Sequence, residues 1–222
     1  MFTRSNNQTN RPSRRPNIVF FLADDLGYGD ITCYNPASKI PTPNIDQLAA
    51  GGIRATDAHS PAAVCSPTRY GLLTGRYPWR GILKQGVVAP WGTSALERDR
   101  LNIPLLLRGY GYATGCFGKW HLGDQKGFLP TDQGFDSYYG IPYSNDMWPY
   151  NNPASPAAKW KWPRLPILRG SEVVGEIKTV EDQADICRQL TAESVAFIRA
   201  NRAKPFFLYL PFTSPHYPVC PL

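Results

Sequence analysis

The chain has 222 residues, of which 42% are hydrophobic and 18% charged. This composition suits one α/β domain with an apolar core and argues against a disordered, collagen-like or coiled-coil chain. No apolar run reaches the roughly 18 residues of a membrane span. The net charge is +7, but four basic residues lie in the first 16 positions without any acidic residue: Arg4, Arg11, Arg14 and Arg15. We therefore predict a disordered basic arm over 1–16 and no nucleic-acid partner, and the remaining excess suits a pocket for an anionic substrate.

The arm also lacks the apolar stretch of a signal peptide, so these residues indicate no compartment. Five cysteines are scattered without a CxxC pair: Cys33, Cys65, Cys116, Cys187 and Cys220. Their spacing argues against a zinc site and against a dense disulfide framework.

The predicted elements begin with the apolar run 17–23, which is typical of a buried parallel strand and is followed by a polar, glycine-rich loop. A helix is predicted for 43–50, with Thr42 as its N-cap and Pro43 at its first position. A further short strand is predicted for 53–58.

Two helices and a strand come next. The first helix, 66–74, would be capped by Ser66, and a shorter one at 103–108 precedes a strand at 112–117. The segment 141–166 is rich in Pro, Trp and Asn, which is typical of a long surface loop.

The longest predicted helix is 180–201, and a buried strand at 205–210 follows it. The helical spacing predicts one buried face: Ala184, Cys187, Leu190, Ser194 and Phe197. Strands that alternate with helices predict an α/β fold with a mainly parallel sheet and helices on both faces.

Functional sites in such sheets form at the carboxyl ends of the strands. The polar residues of this sequence fall at predicted strand ends: Asp24, Asp25, Lys119, His121 and His216. Adjacent aspartates can both turn toward a hard cation such as calcium, although such a pair is also typical of a solvated loop. In an extended segment Lys119 and His121 share a face, where lysine can bind an anion and histidine can move protons. A purely structural histidine is the alternative.

The sequence Cys65-Ser66-Pro67-Thr68-Arg69 places a cysteine just ahead of a predicted helix, where backbone N–H groups attract anions. Arg69 lies one turn further on, and its guanidinium matches a tetrahedral oxyanion. The alternative is a free cysteine at a helix start beside an unrelated arginine.

The runs that carry these residues resemble the type I sulfatases, and most closely the arylsulfatases. They are RPNIVFFLADDLGYGDITCYNP, TPNIDQLAAGGIRATDAHSPAAVCSPTRYGLLTGRYP and GYATGCFGKWHLG, with GIPYSNDMWP and PFFLYLPFTSPHYP as further blocks. The pattern Cys-x-Pro-x-Arg followed by Leu-Leu-Thr-Gly distinguishes sulfatases from phosphatases of the same fold. The resemblance implies an alkaline-phosphatase-like fold and a sulfuric ester hydrolase.

The resemblance also implies the chemistry. Cys65 is similar to the cysteine that a formylglycine-generating enzyme oxidises to formylglycine. One hydroxyl of the hydrated aldehyde attacks sulfur, and the second then expels sulfate, which restores the aldehyde. The substrate is implied to be an aryl or carbohydrate sulfate ester.

The other site residues follow from the same match, one position at a time. Arg69 resembles the residue that holds the formylglycine, and Lys119 the sulfate-binding lysine. His121 resembles the base for the elimination step, and Ser144 a serine close to the diol. His216 resembles a second histidine that contacts sulfate.

The resemblance implies a metal site formed by Asp24, Asp25 and the oxidised Cys65. The cation would be calcium, with magnesium as an option, and would offset the charge of the sulfate. Family members are lysosomal, secreted or periplasmic, which is an implication of the resemblance alone.

The family also supplies a downstream Asp-Asn pair and a lysine that these 222 residues do not contain. We therefore predict that 17–222 is a partial N-terminal catalytic domain, incomplete at its C-terminus. One alternative is a truncated, catalytically inactive fragment, and another is a phosphoester or phosphonate hydrolase of the same superfamily. Trp148, Trp160 and Trp162 are equally compatible with stacking on a substrate ring and with packing.

Overall fold

The computed structural model describes residues 15–149 and 159–220. Its main elements in chain order are β1 (Ile18–Asp24), α1 (Pro43–Gly51), α2 (Cys65–Thr74), α3 (Ile103–Gly109), β2 (Ala113–Lys119), β3 (Ser137–Ile141), β4 (Leu165–Arg169), β5 (Glu172–Ile177), α4 (Val180–Asn201) and β6 (Phe206–Pro215). Short 3-10 helices cover Tyr28–Asp30, Pro78–Arg80 and Pro130–Gln133. Residues 1–14 of the predicted arm lie outside the described residues, so the division into an arm and a partial domain stays a prediction. No helix in the described part of the chain has the length and apolarity needed to cross a membrane.

The strands form one six-stranded sheet in the order β1-β6-β2-β3-β4-β5. β1, β6, β2 and β3 run parallel, whereas β4 and β5 add an antiparallel hairpin to β3. The predicted α/β class with a mainly parallel sheet is therefore confirmed. The strand predicted at 53–58 is wrong: this stretch pairs with no strand in the sheet, and Ile53 is 98% exposed.

β1 is the outer strand of the sheet, and it pairs with β6 alone. Its direction is parallel, as predicted, but the prediction that it is buried is wrong. Val19, Phe20 and Phe21 are exposed, with 61% of Phe21 accessible to solvent. An interior strand is covered by neighbours on both sides, and among the described residues β1 has a neighbour on one side only.

Helices cover both faces of the sheet, as predicted. One apolar cluster joins α4 to one face, where Leu190 and Phe197 pack with Phe206 and Leu208. The second cluster joins α2 and α3 to the opposite face, where Tyr70 and other apolar residues pack together: Leu73, Leu107, Cys116, Tyr138, Phe207 and Tyr209. The catalytic candidates lie at the carboxyl ends of the parallel strands between these two clusters.

The predicted bounds of α4 are confirmed, and a hydrogen bond from the Asp182 N–H to the Thr179 side chain caps its start. Its buried face is rotated slightly from the prediction. Gln183 and Ile186 are buried, whereas Ala184 and Cys187 are only partly buried.

The prediction of a surface loop over 141–166 is wrong for its first part, since Ile141 ends β3 and the next residues are buried. Tyr143, Met147 and Trp148 pack into the cluster beneath α4. Residues 150–158 lie outside the described residues, and 165 already belongs to β4.

Gly118, in β2, lies against the backbone of Pro211 in β6. Its φ is +145°, and a Cβ added there would lie 2.0 Å from the carbonyl oxygen of Pro211. We expect Gly118→Ala to lower the free energy of unfolding by about 3 kcal/mol or more, because the strands must separate. Gly109→Ala is the control, since a Cβ there meets nothing within 4 Å. Urea denaturation of both variants measures the difference, and equal losses would contradict this reading of the β2–β6 contact.

Candidate active site

The candidate residues gather at one edge of the sheet. Asp24 is the last residue of β1, Lys119 the last of β2, and His216 directly follows β6. Because these three strands are parallel and adjacent, their carboxyl ends meet at the same edge. The sequence-based expectation that these residues share one region is borne out by their positions.

Cys65 lies at the first position of α2, with Val64 as its N-cap. The prediction that Ser66 caps this helix is wrong. The Ser66 hydroxyl instead accepts a hydrogen bond from the Val88 N–H at 3.0 Å. Beside Cys65 lies a cavity of about 310 Å³, whose walls include Asp24, Asp25 and Arg69.

A buried charge cluster forms the back of the site. Lys119 Nζ lies 2.5 Å from Asp24 Oδ2, and Arg69 Nη2 lies 3.3 Å from Asp24 Oδ1. The Arg69 guanidinium also donates from Nη1 to the carbonyl oxygen of Lys119. Two cations thus share one carboxylate, and the cluster carries a net positive charge that suits an anionic ligand.

The ionisation of the cluster follows from burial and from these contacts. Burial alone would raise the pKa of Asp24, but the charges of Arg69 and Lys119 outweigh it and hold this pKa below its usual range. Burial and the Arg69 charge lower the pKa of Lys119, although Asp24 opposes them. A further negative charge that enters the cavity would therefore stabilise the charged form of Lys119.

Cys65 is partly buried and free of disulfides. Burial raises the pKa of its thiol, and the nearby charges of Lys119 and Arg69 only partly offset that effect. The position at the helix start agrees with the sequence analysis, but the thiol is not activated as a thiolate. Desolvation outweighs the helix N-terminus and both cations.

His121 is completely buried two residues after Lys119. Burial, together with the charges of Lys119 and Arg69, lowers the pKa of His121 well below its usual value. The ring is therefore neutral at pH 7. Its Nε2 lies 2.9 Å from the carbonyl oxygen of Val88 and so carries the proton. The lone pair of Nδ1 is buried without a hydrogen-bond partner among the described residues.

The remaining predicted residues occupy different environments. The Asp25 side chain is 64% exposed and its Oδ2 lies 3.6 Å from His216 Nε2, so this aspartate is exposed whereas its neighbour Asp24 is buried. His216 donates from Nδ1 to the Tyr217 carbonyl oxygen at 2.6 Å. Ser144 is buried, and its hydroxyl has no hydrogen-bond partner among the described residues.

The predicted metal ligands are of the right chemical type for a hard cation, but they are few. Within 15–149 and 159–220, no group of three or more His, Cys, Asp or Glu side chains is arranged to hold a metal ion. Asp24 and Asp25 offer the carboxylate oxygens that a hard cation prefers, and they border the same cavity as Cys65. These carboxylates therefore fit such a cation. A coordination shell of six or more oxygens would require further ligands in addition to them.

Sequence reasoning missed Val88. Its carbonyl oxygen orients His121, and its N–H binds the hydroxyl of Ser66, next to Cys65. Val88 thus links the start of α2 to the histidine. A backbone group leaves no mark in residue type, so no sequence signal was available.

The mainly parallel sheet with helices on both faces defines an α/β protein, and the sulfatases of known structure that it resembles have the alkaline-phosphatase-like fold. Residues 16–221 match the Sulfatase family model, and the chain belongs to that family.

Individual relatives support the same family assignment. The chain is 40% identical over 222 residues to arylsulfatase A from Homo sapiens, which covers 93% of this chain and 42% of that protein. It superposes on the PsFucS1 sulfatase from Pseudoalteromonas sp. with a TM-score of 0.79 and 33% identity, covering 94% of this chain and 46% of the other. For Ps i-CgsB, also solved in complex with k-i-k-neocarrahexaose, the TM-score is 0.75, the identity 34%, and the coverage 92% and 46%. The chain thus spans less than half the length of these relatives.

The neighbouring aspartates provide a matched test of the buried cluster. We expect Asp24→Asn to lower the free energy of unfolding by about 3–5 kcal/mol, because Lys119 and Arg69 lose their shared counter-charge in a buried site. Asp25→Asn removes an exposed carboxylate and should cost less than about 1 kcal/mol. Urea denaturation compares the two variants. Adding Lys119→Met to Asp24→Asn should restore part of the loss, and equal losses for the two single variants would refute the cluster.

Proposed function

We propose that the chain carries the catalytic residues of a sulfuric ester hydrolase that uses a formylglycine made from Cys65. The observation that carries this proposal is the placement of Cys65 at the start of α2, on the cavity bordered by Asp24 and Arg69. Lys119 and Arg69 supply two buried cations there, against the single buried carboxylate of Asp24. Family membership supports the same reaction class.

The state of Cys65 argues against direct attack by its sulfur. A thiol whose pKa is raised by burial is a poor nucleophile at neutral pH. Once converted to an aldehyde and hydrated, residue 65 supplies one hydroxyl to accept the sulfuryl group and a second to release it. The conversion is a two-electron oxidation with loss of the cysteine sulfur, and a formylglycine-generating enzyme would be the partner that supplies the oxidant and takes up the sulfur.

The buried cations would hold the sulfate. The Lys119 ammonium and the Arg69 guanidinium are fixed by Asp24, so they need little reorganisation when an anion enters. His216 lies beside Asp25 at the end of β6, where its ring can contact a sulfate oxygen or the departing alcohol. These side chains bind the substrate and stabilise the charge that develops during transfer.

His121 would act as the base. Its Nε2–H is held by Val88, so the free lone pair on Nδ1 can take a proton from the second hydroxyl of residue 65. The lowered pKa keeps the ring neutral and ready to accept that proton. Ser144, whose buried hydroxyl has no hydrogen-bond partner within the described part of the chain, is assigned to the same diol.

A divalent cation, calcium or magnesium, would be held by Asp24, Asp25 and residue 65. When bound, it would polarise the sulfate and neutralise part of its charge. Two carboxylates fall short of its coordination, and the chain spans less than half the length of the relatives. These two observations favour one competing proposal: that this portion alone is inactive and that catalysis needs further polypeptide.

Mass spectrometry of residue 65 tests the nucleophile. In a host that contains the formylglycine-generating enzyme, we expect the peptide with Cys65 to be about 18 Da lighter than its thiol form. Cys33 in the same sample is the internal control, because it lies outside the Cys-x-Pro-x-Arg motif and should remain a thiol. An unmodified Cys65 in such a host would count decisively against the formylglycine proposal.

His121→Ala tests the base. We expect it to lower the turnover of an aryl sulfate about 10²–10⁴-fold and to leave residue 65 covalently sulfated, because the second hydroxyl keeps its proton. His59→Ala is the matched control, since His59 is exposed and contacts only Asp57 among the described carboxylates. Phenol release, followed in parallel on an aryl phosphate, measures the effect.

Three results would contradict parts of this assignment. Equal losses for the two histidine variants would remove His121 from the reaction. Faster turnover of the phosphate would favour the phosphoester alternative. No turnover by the parent chain, despite an oxidised residue 65, would support the inactive-fragment alternative.

A further inference from the structure

A strip of alternating basic and aromatic residues precedes β4. Four of its side chains are exposed: Lys159, Trp160, Lys161 and Arg164. Trp162 and Pro163 between them are partly buried. We call residues 159–164 the Trp160 strip. None of these residues takes part in the proposed hydrolysis.

The aromatic part of the strip is anchored. Trp160 is 56% exposed, and its ring stacks on Trp162 with centroids 5.7 Å apart and planes 25° apart. Trp162 in turn packs against the apolar cluster that contains Met147 and Trp148. Trp148 and Trp162 therefore pack against the protein, whereas Trp160 is more than half exposed and is held by its contact with Trp162.

The charges around this face are mostly positive. The Lys159 ammonium lies over the Trp160 ring, with Nζ 5.6 Å from the ring centroid, so this flexible side chain must move aside when a ligand stacks there. Arg164 and Lys178 both lie 3.7 Å from the same oxygen of Glu176, so two cations share one carboxylate. With Lys161 also exposed, the strip attracts a ligand that carries several negative charges.

The strip lies at the same edge of the sheet as the candidate active site. Leu165 begins β4 and pairs with Ile177 at the carboxyl end of β5, because the two strands are antiparallel. β3 alone separates β4 from β2, which ends at Lys119. Strands lie about 4.8 Å apart, so roughly 10 Å separate β4 from β2, and about 20 Å separate β4 from Asp24 at the end of β1, beside the cavity. A short oligosaccharide can span that distance.

We propose that the Trp160 strip binds a sulfated polysaccharide and positions it for the neighbouring site. The apolar face of a sugar ring stacks on Trp160, while Lys159, Lys161 and Arg164 pair with sulfate groups on either side. This inference rests on the proposed sulfatase function and narrows its substrate class to carbohydrate chains with several sulfates. Binding itself needs no chemistry at residue 65.

Binding to immobilised dextran sulfate tests the strip, with unsulfated dextran as the uncharged comparison. We expect Trp160→Ala to weaken binding about 3- to 10-fold without changing its salt dependence, because stacking is lost. The double variant Lys159→Ala/Lys161→Ala should weaken binding about 10-fold and flatten the salt dependence, because two ion pairs are lost. The unsulfated polymer should bind far more weakly to every variant.

Matched controls separate the strip from charge and aromatic exposure in general. Trp79 is 59% exposed and stacks on Tyr77, so Trp79→Ala removes a similar aromatic surface elsewhere. Arg202→Ala/Lys204→Ala removes two exposed cations ahead of β6, at the opposite edge of the sheet. Both controls should change affinity less than about 2-fold. The basic arm is present in every variant, so differences between variants report the strip.

Two results would overturn the inference. The first is an equal loss of affinity in Trp160→Ala and Trp79→Ala. The second is competition by a single-stranded oligonucleotide of matched charge that equals competition by soluble dextran sulfate, since the strip would then be a general polyanion site. Failure of the sulfatase proposal is visible separately, as an unmodified Cys65 in protein that still binds dextran sulfate.

Discussion

The site depends on one buried carboxylate that is shared by two cations. Asp24 is held at the end of β1 between Lys119, from β2, and Arg69, from α2. The three residues come from distant parts of the sequence, so the contact joins α2 to the carboxyl ends of β1 and β2. Because Asp24 compensates only one of two positive charges, the same contact that stabilises the fold leaves an attraction for anions.

This excess positive charge also affects the pKa values of the neighbouring side chains. It contributes to keeping His121 neutral, since a third cation in the same buried region would be repelled. It lowers the cost of ionising Cys65, but not enough to overcome burial. A neutral histidine and a protonated thiol beside two fixed cations are compatible with the proposed reaction, in which the sulfur atom of cysteine does not attack.

The sequence was informative where residue type and spacing carry the information. The parallel α/β class, the bounds of α4 and the meeting of Asp24 with Lys119 and His216 at one edge all follow from patterning and from the geometry of parallel strands. The exposure of β1 could not be predicted, because an apolar run reports affinity for apolar neighbours and not their presence. The β4–β5 hairpin was missed although Gly170, with φ of +62°, marks its turn.

The exposed flank of β1 has a practical consequence. This strand contains no lysine or proline, and its outer side, beside Phe21 and Val19, pairs with no other strand among the described residues. Such an edge is a template for strand addition between molecules, which charged or proline-containing edges resist. Concentrated solutions of these 222 residues alone would therefore be prone to fibrillar self-association. A single lysine placed on this flank would be the most direct way to keep the polypeptide dispersed.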